Sequence, residues 1–236
     1  MGAILFARPR TWDLAITLPL VYLSFNVLLY GGIYTINAIA DRESDARHPR
    51  KRNRPLPSGS ISLNSAMTWM SLLIASGLAS GFVLFGIDVF YIYVVAIGLN
   101  LLYSYVARQI PYLELVVNAS THPLRFVLGT SLVNCRAPLL LLAAIFLLAL
   151  GIASARRRVE KSEPGWEARN TLKCYSLSSL KRVEAAAFIG LTVLLLVDRT
   201  LPDSYYVVLM ALYLVMVTAI DHLGSFKNLF VRVWTR

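Results

Sequence analysis

Seven apolar stretches, at roughly 13–36, 62–86, 89–107, 112–133, 137–155, 177–197 and 204–222, restrict what this chain can become more than anything else in it. Each approaches the ~20 residues with which an α-helix crosses a hydrocarbon core. A mean hydropathy of +0.61, with 57% hydrophobic and 15% charged residues over 236, has the same meaning. The expected fold is an all-α integral membrane protein, a multi-span helical bundle of about seven spans with a polar cavity on its cytoplasmic side. No heptads, repeats or low-complexity segments divide it, so 1–236 reads as a single transmembrane domain.

The net charge of +10 raises the question of nucleic acid, but the cations, Arg125 apart, lie in the loops between the apolar runs or at their ends. That distribution is a topology signal. The partner it predicts is the lipid bilayer, with no nucleic acid. Eighteen lysines and arginines fall on one face, in segments around 37–61, 108–111, 156–182 and the C-terminal tail with Lys227, Arg232 and Arg236; Arg136 and Arg199 stand on the other. By the positive-inside rule the long loops are cytoplasmic in a cell (plasma) membrane, multi-pass, with loops 37–61 and 156–176 as a cap. Arg8 and Arg10 would then lie outside, unless Pro19 breaks the first run into a re-entrant piece. Met1 to Trp12 lacks the pattern of a removable signal peptide. Cys135 and Cys174 fall on opposite faces of this topology, so no disulfide is expected.

The chemistry concentrates where the first run ends. Asn37, Asp41 and Asp45 are spaced i, i+4, i+8 and share one helix face. Two carboxylates and an amide oxygen are hard ligands of the kind Mg²⁺ takes while keeping waters and substrate phosphates. The cations Arg42, Arg47, Arg50, Lys51, Arg52 and Arg54 follow, closed by Pro55, Pro57 and Gly59. A basic loop beside a membrane helix also serves as a headgroup contact. The acidic face changes its meaning, because ionisable groups at a membrane helix are costly and by default functional.

Further candidates lie on later spans. Tyr103 and Ser104 precede Arg108, which can clamp a phosphate bidentately, although tyrosines there also form an interfacial belt. The fourth span carries Glu114, Asn118, His122 and Arg125; Glu114 and Arg125 must face the interior, as an ion pair or as cavity lining. Asn118, His122 and Arg125 form one stripe at i, i+4, i+7. Arg157 and Glu160 at i, i+3 either pair with each other or order the second loop over a charged substrate. The chain has no P-loop, GxGxxG, CxxC pair or HExxH, and its three scattered histidines argue against zinc.

Asn37-x-x-x-Asp41-x-x-x-Asp45 after a membrane helix resembles the first aspartate motif of the UbiA-type intramembrane prenyltransferase superfamily. Four segments are similar to its decaprenyl-phosphate phosphoribosyltransferase branch: Arg8-Pro9-Arg10-x-Trp12; Asp45-Ala-Arg-His48-Pro49-x-Lys51-Arg52-x-Arg54-Pro55; Glu114 with Leu124-Arg125-x-x-x-Gly129; and Arg156-Arg157-x-x-Glu160 with Tyr175-Ser176. The chain departs from that pattern at Ala38, where an Asp is usual, and at Arg108, where a lysine is usual. No second Asp-x-x-x-Asp occurs after residue 100.

The resemblance implies a Mg-dependent transferase. Asp41 and Asp45 would be catalytic, holding the metal with Asn37. His48, Lys51, Arg54, Tyr103, Ser104, Arg108, Asn118, His122, Arg125, Arg157, Glu160 and Tyr175 would line the substrates. The favoured donor is phosphoribosyl pyrophosphate and the acceptor a polyprenyl phosphate, with Arg125 and Arg108 on the acceptor phosphate or on the donor's 5-phosphate. The alternatives are a prenyl diphosphate donor with an aromatic or other lipid acceptor, and a non-enzymatic helical membrane subunit.

Overall fold

The computed structural model describes residues 11–49, 51–162, 166–168, 170–198 and 202–222. The Arg8-Pro9-Arg10 segment, Arg50, Arg199 and the tail cations Lys227, Arg232 and Arg236 lie outside the described residues, as does the side chain of Trp12.

The described residues are almost wholly helical. In order they form α1 (Thr11–Val21), a π-helical stretch (Tyr22–Leu29), α2 (Tyr30–Ala46), α3 (Leu63–Phe85), α4 (Ile87–Tyr105), α5 (Leu113–Ser131), α6 (Leu139–Lys161), α7 (Asn170–Lys173), α8 (Leu177–Val197) and α9 (Asp203–His222). The seven expected runs each find a long helix. Among the described residues four helices are long and apolar enough to cross a membrane: Ala15–Ala46, Leu63–Phe85, Ile87–Gln109 and Leu139–Lys161. Their outward apolar side chains, such as Val83 at 77% exposure, have no place in water.

Two expectations about the first run are corrected. Pro19 does not break it; α1, the π-helical stretch and α2 follow one another without a gap, and such wider turns let a membrane helix carry a proline. The end of the apolar run at 36 is also not where the loop expected over 37–61 begins, for the helix carries Asn37, Asp41 and Asp45 as their spacing expects. The helix continues to Ala46, because the end of apolar sequence is not a stop signal for backbone hydrogen bonding. The fifth long helix, α6, likewise runs past 155 to Lys161.

The helices fall into two compact units, one from Met1–Val106 with Leu124–Ala137, the other from Ala107–Pro123 with Pro138–Arg236. In the first, α3 packs along α2 and the π-helical stretch. Its buried residues are Ala66, Gly77 and Gly81, all small. A Cβ on Gly77 would stand 2.9 Å from the Leu29 backbone nitrogen, and one on Gly81 would stand 2.7 Å from the Tyr93 ring. At Gly77 two helix backbones approach closely, as small residues allow, while at Gly81 the missing side chain makes room for the Tyr93 ring of α4. Phe25, Leu29, Ile33, Val89 and Tyr93 form the core beside it, with Ser24 bonded to the Tyr93 hydroxyl at 3.0 Å. Gly86, at φ +88, makes the single-residue turn from α3 to α4 in a conformation that favours glycine.

In the second unit α6 packs along α8 and α9. Arg158 Nε donates to Glu184 across α6 and α8 at 3.1 Å, and Ser154 Oγ donates to the Leu180 carbonyl at 2.9 Å. Ser176 caps α8 reciprocally with Ser179.

Candidate active site

Asn37, Asp41 and Asp45 occupy the last two and a half turns of α2. Asp45 is buried, at 4% exposure; Asn37 and Asp41 are half-buried. The loop beyond folds straight back onto the acidic face. His48 N–H donates to the Asp45 carbonyl at 3.0 Å, a 3₁₀ turn spans Lys51–Asn53, and Leu56 buries its side chain. This brings Arg54 Nη1 to 2.7 Å from Asp45 Oδ2. Lys51 is half-buried on the same turn, its N–H directed to His48 Nδ1 at 3.4 Å. From α4, Ser104 Oγ donates to Asn37 Oδ1 and to the Asn100 carbonyl, with Tyr103 half-buried beside it.

The donor set fits a hard divalent cation: two carboxylates and an amide oxygen on one face, with lone pairs beyond those that Arg54 and Ser104 occupy. Helical rise limits how it is shared. Neighbours four apart have Cβ atoms roughly 5–6 Å apart. Asn37 and Asp45 are separated by about 12 Å of axis, too far to meet on one ion with bonds near 2.1 Å. The expectation that all three ligate one Mg²⁺ is therefore narrowed to adjacent pairs about Asp41. Among the described residues no group of three His, Cys, Asp or Glu side chains forms a metal cluster.

Of the two roles open to Glu114 and Arg125, an ion pair with each other or cavity lining, the pair does not form, and Arg125 lines a cavity. Glu114, fully buried, takes both Nε and Nη2 of Arg157 at 2.9 and 3.0 Å. Arg157 is 1% exposed and bonds Glu160, the pair that their i, i+3 spacing left open, so the guanidinium that the resemblance put on a substrate phosphate is an internal brace. Tyr175 completes it, donating to Glu114 at 3.2 Å and accepting the Tyr112 N–H at 2.8 Å. Burial, and then the Glu114 carboxylate, pushes the Tyr175 phenol well above its ordinary range. Lys161 Nζ, beside the Trp166 ring, donates to the carbonyls of Leu172 and Tyr175 and ties down the same segment. Arg108 lies in a 3₁₀ turn whose carbonyl accepts Thr171 Oγ1 at 2.6 Å.

Asn118 and His122 line a space of about 130 Å³ with Arg156 and apolar residues of α6. Arg125 lines another, with α1 and the π-helical stretch. Pro123, which has no N–H to continue the helical ladder, lies between them. Sequence reasoning missed Asn26, which accepts from Arg125 Nη1 at 3.2 Å. Its signal was an amide within an apolar run.

Among the described residues the fold is a helical bundle with membrane-length helices, in which an acidic helix end is closed by a basic loop. The chain belongs to the UbiA prenyltransferase family, whose model matches residues 1–225. It is 32% identical over 137 residues to the nodulation protein NoeC of Azorhizobium caulinodans, covering 56% of this chain and 43% of that one. To the decaprenyl-phosphate phosphoribosyltransferase of Corynebacterium glutamicum it is 27% identical over 169 residues, 69% of this chain and 51% of that one. The chain spans about half the length of these curated relatives. Among solved structures, a UbiA homolog from Archaeoglobus fulgidus bound to GPP and Mg²⁺ superposes with a TM-score of 0.71 at 20% identity, over 91% of this chain and 82% of that one.

Proposed function

We propose that this chain is a Mg²⁺-dependent transferase that moves a 5-phosphoribosyl group from phosphoribosyl pyrophosphate to a polyprenyl phosphate at the cytoplasmic membrane face. The observation that carries the reading is Arg54 folded onto buried Asp45, one helical turn from Asp41. A carboxylate face and a cation already in contact can part around a metal diphosphate: the carboxylates turn to the metal and the guanidinium to phosphate. Bound Mg²⁺ would neutralise charge on the diphosphate leaving group.

The residues have distinct tasks. Asp41 is central, since it alone is four residues from both other donors. Ser104 donates to the Asn37 amide oxygen and so holds that side chain in place beside Asp41. Lys51 and Arg54 hold the departing phosphates. An oxygen of the lipid phosphate attacks C1 of the ribose as the C1–O bond to diphosphate breaks and the electron pair leaves with it. The nucleophile is already ionised, so no protein base is needed.

The phosphoribosyl donor is favoured by the His48-Pro49-x-Lys51-Arg52 run, by the absence of a second Asp-x-x-x-Asp after residue 100, and by the similarity to the corynebacterial phosphoribosyltransferase. The second reading, transfer from a prenyl diphosphate to an aromatic or other lipid acceptor, is favoured by the family and by the GPP-bound structural neighbour. Reconstituted protein given labelled phosphoribosyl pyrophosphate or labelled prenyl diphosphate, with polyprenyl phosphate, an aromatic acceptor and Mg²⁺, separates them once products are resolved from unreacted donor. Label in the lipid phase from the first donor alone supports the proposal; label from the second alone replaces it with the prenyl reading.

A further inference from the structure

Arg125 poses a problem of charge. Its guanidinium gives one hydrogen bond to Asn26 and lies over the rings of Tyr30, at 4.1 Å, and Phe25, at 5.6 Å. Among the described residues no carboxylate pairs with it. Its contacts come from the interior of an apolar helix that runs Ala15–Ala46, where a cation is costly unless something anionic accompanies it. Aromatic faces and one amide oxygen satisfy only part of a group with five donors.

The guanidinium faces a cavity of about 230 Å³. Val21, Tyr22, Phe25, Leu128 and Leu132 make the walls apolar, and Tyr22 on the wall is 53% exposed at the protein exterior. The place is distinct from the acidic face. Tyr30, under the guanidinium, precedes Asp41 by eleven residues, on the order of 16 Å along the helix. A phosphate on Arg125 is therefore remote from a diphosphate leaving group at Asp41.

From the cavity and its unmatched charge we infer that Arg125, positioned by Asn26 and Tyr30, forms an intramembrane site for a lipid-borne anion: the phosphate monoester or carboxylate head of a single-chain lipid entering from the bilayer. Charge complementarity selects the anion. The apolar walls select a head that carries a chain over a free inorganic ion, which would have to leave water to reach them. The site needs neither Mg²⁺ nor the Asp41 face, so it stands or falls apart from the proposed transfer.

The test uses the full chain in phosphatidylcholine nanodiscs without divalent cations, labelled by a photoreactive alkyl phosphate and mapped by mass spectrometry. Labelling is expected in 18–26 and 124–132, competed by oleyl phosphate and by neither oleyl alcohol nor inorganic phosphate. Arg125→Gln should lose about tenfold of it, the scale of a lost charged hydrogen bond, while Arg125→Lys keeps most. Leu128→Trp, which fills the cavity and leaves the charge, should lose it too, and this variant serves if Arg125→Gln fails to fold. Asp41→Ala should label as the parent does. Undiminished labelling in Arg125→Gln or Leu128→Trp, or equal competition by oleyl alcohol or by inorganic phosphate, would overturn the inference.

Discussion

Arg54 Nη1 stands 2.7 Å from Asp45 Oδ2, so the last acidic position of the α2 face is neutralised by the loop that leaves it. Asp45 is buried and Arg54 about one-third exposed, which places the pair between a surface ion pair and a core one. Replacing Arg54 by Gln should lower stability by about 1–2 kcal/mol, below the 3–5 of a fully buried pair because the arginine is partly solvated. Mg²⁺ with diphosphate should restore most of it, since the ion takes over the charge of Asp45. Thermal unfolding in detergent, with and without the metal diphosphate, checks both statements.

The Glu114–Arg157 pair behaves differently. Both groups are essentially inaccessible, and removing the arginine leaves a carboxylate with no escape to water. Arg157→Met should cost about 3–5 kcal/mol, and Glu114→Leu in the same chain should recover much of it. An unchanged unfolding midpoint with a raised KM for the donor would return Arg157 to the substrate.

Tyr175→Phe removes the hydroxyl that links Tyr112 to Glu114 and should cost about 1–3 kcal/mol. Its raised phenol pKa adds a pH signature. Below pH about 10 the phenol is protonated in both states and stability is unaffected. Above that, the unfolded chain's tyrosine ionises while the folded one does not, so stability falls with pH. The Phe variant should lose that part of the slope, which unfolding midpoints from pH 8 to 11 will show.

Gly77→Val forces a side chain against the Leu29 backbone, where a Cβ alone would stand 2.9 Å away. Overpacking of this kind costs about 1–3 kcal/mol. Gly98→Val, where a Cβ meets nothing within 4 Å, should be far milder. Parallel thermal melts distinguish a packing effect from a general cost of losing glycine in a helix.

The long helices were legible because their apolar runs have membrane length, and the acidic face because its spacing is helical. Their ends were not. Hydropathy stops at Ile36, but Asn37 to Ala46 continue the helix, since polar residues hydrogen-bond their backbone in the same way. Partners were also hidden. Glu114 finds Arg157 43 positions away, and nothing local in sequence says that it prefers this arginine to Arg125, eleven away. Asn26 was passed over as one amide in an apolar run, though 99 positions on it holds Arg125.

The central claim is that the Asn37–Asp41–Asp45 face receives a metal diphosphate under Lys51 and Arg54. Equilibrium binding of inorganic diphosphate to the reconstituted chain tests it most directly, with Mg²⁺ present or chelated, in the parent and in Asp41→Asn. The account predicts saturable binding that requires Mg²⁺ and is lost in Asp41→Asn while the fold is retained. Binding indifferent to Mg²⁺, or undiminished in Asp41→Asn, would contradict it.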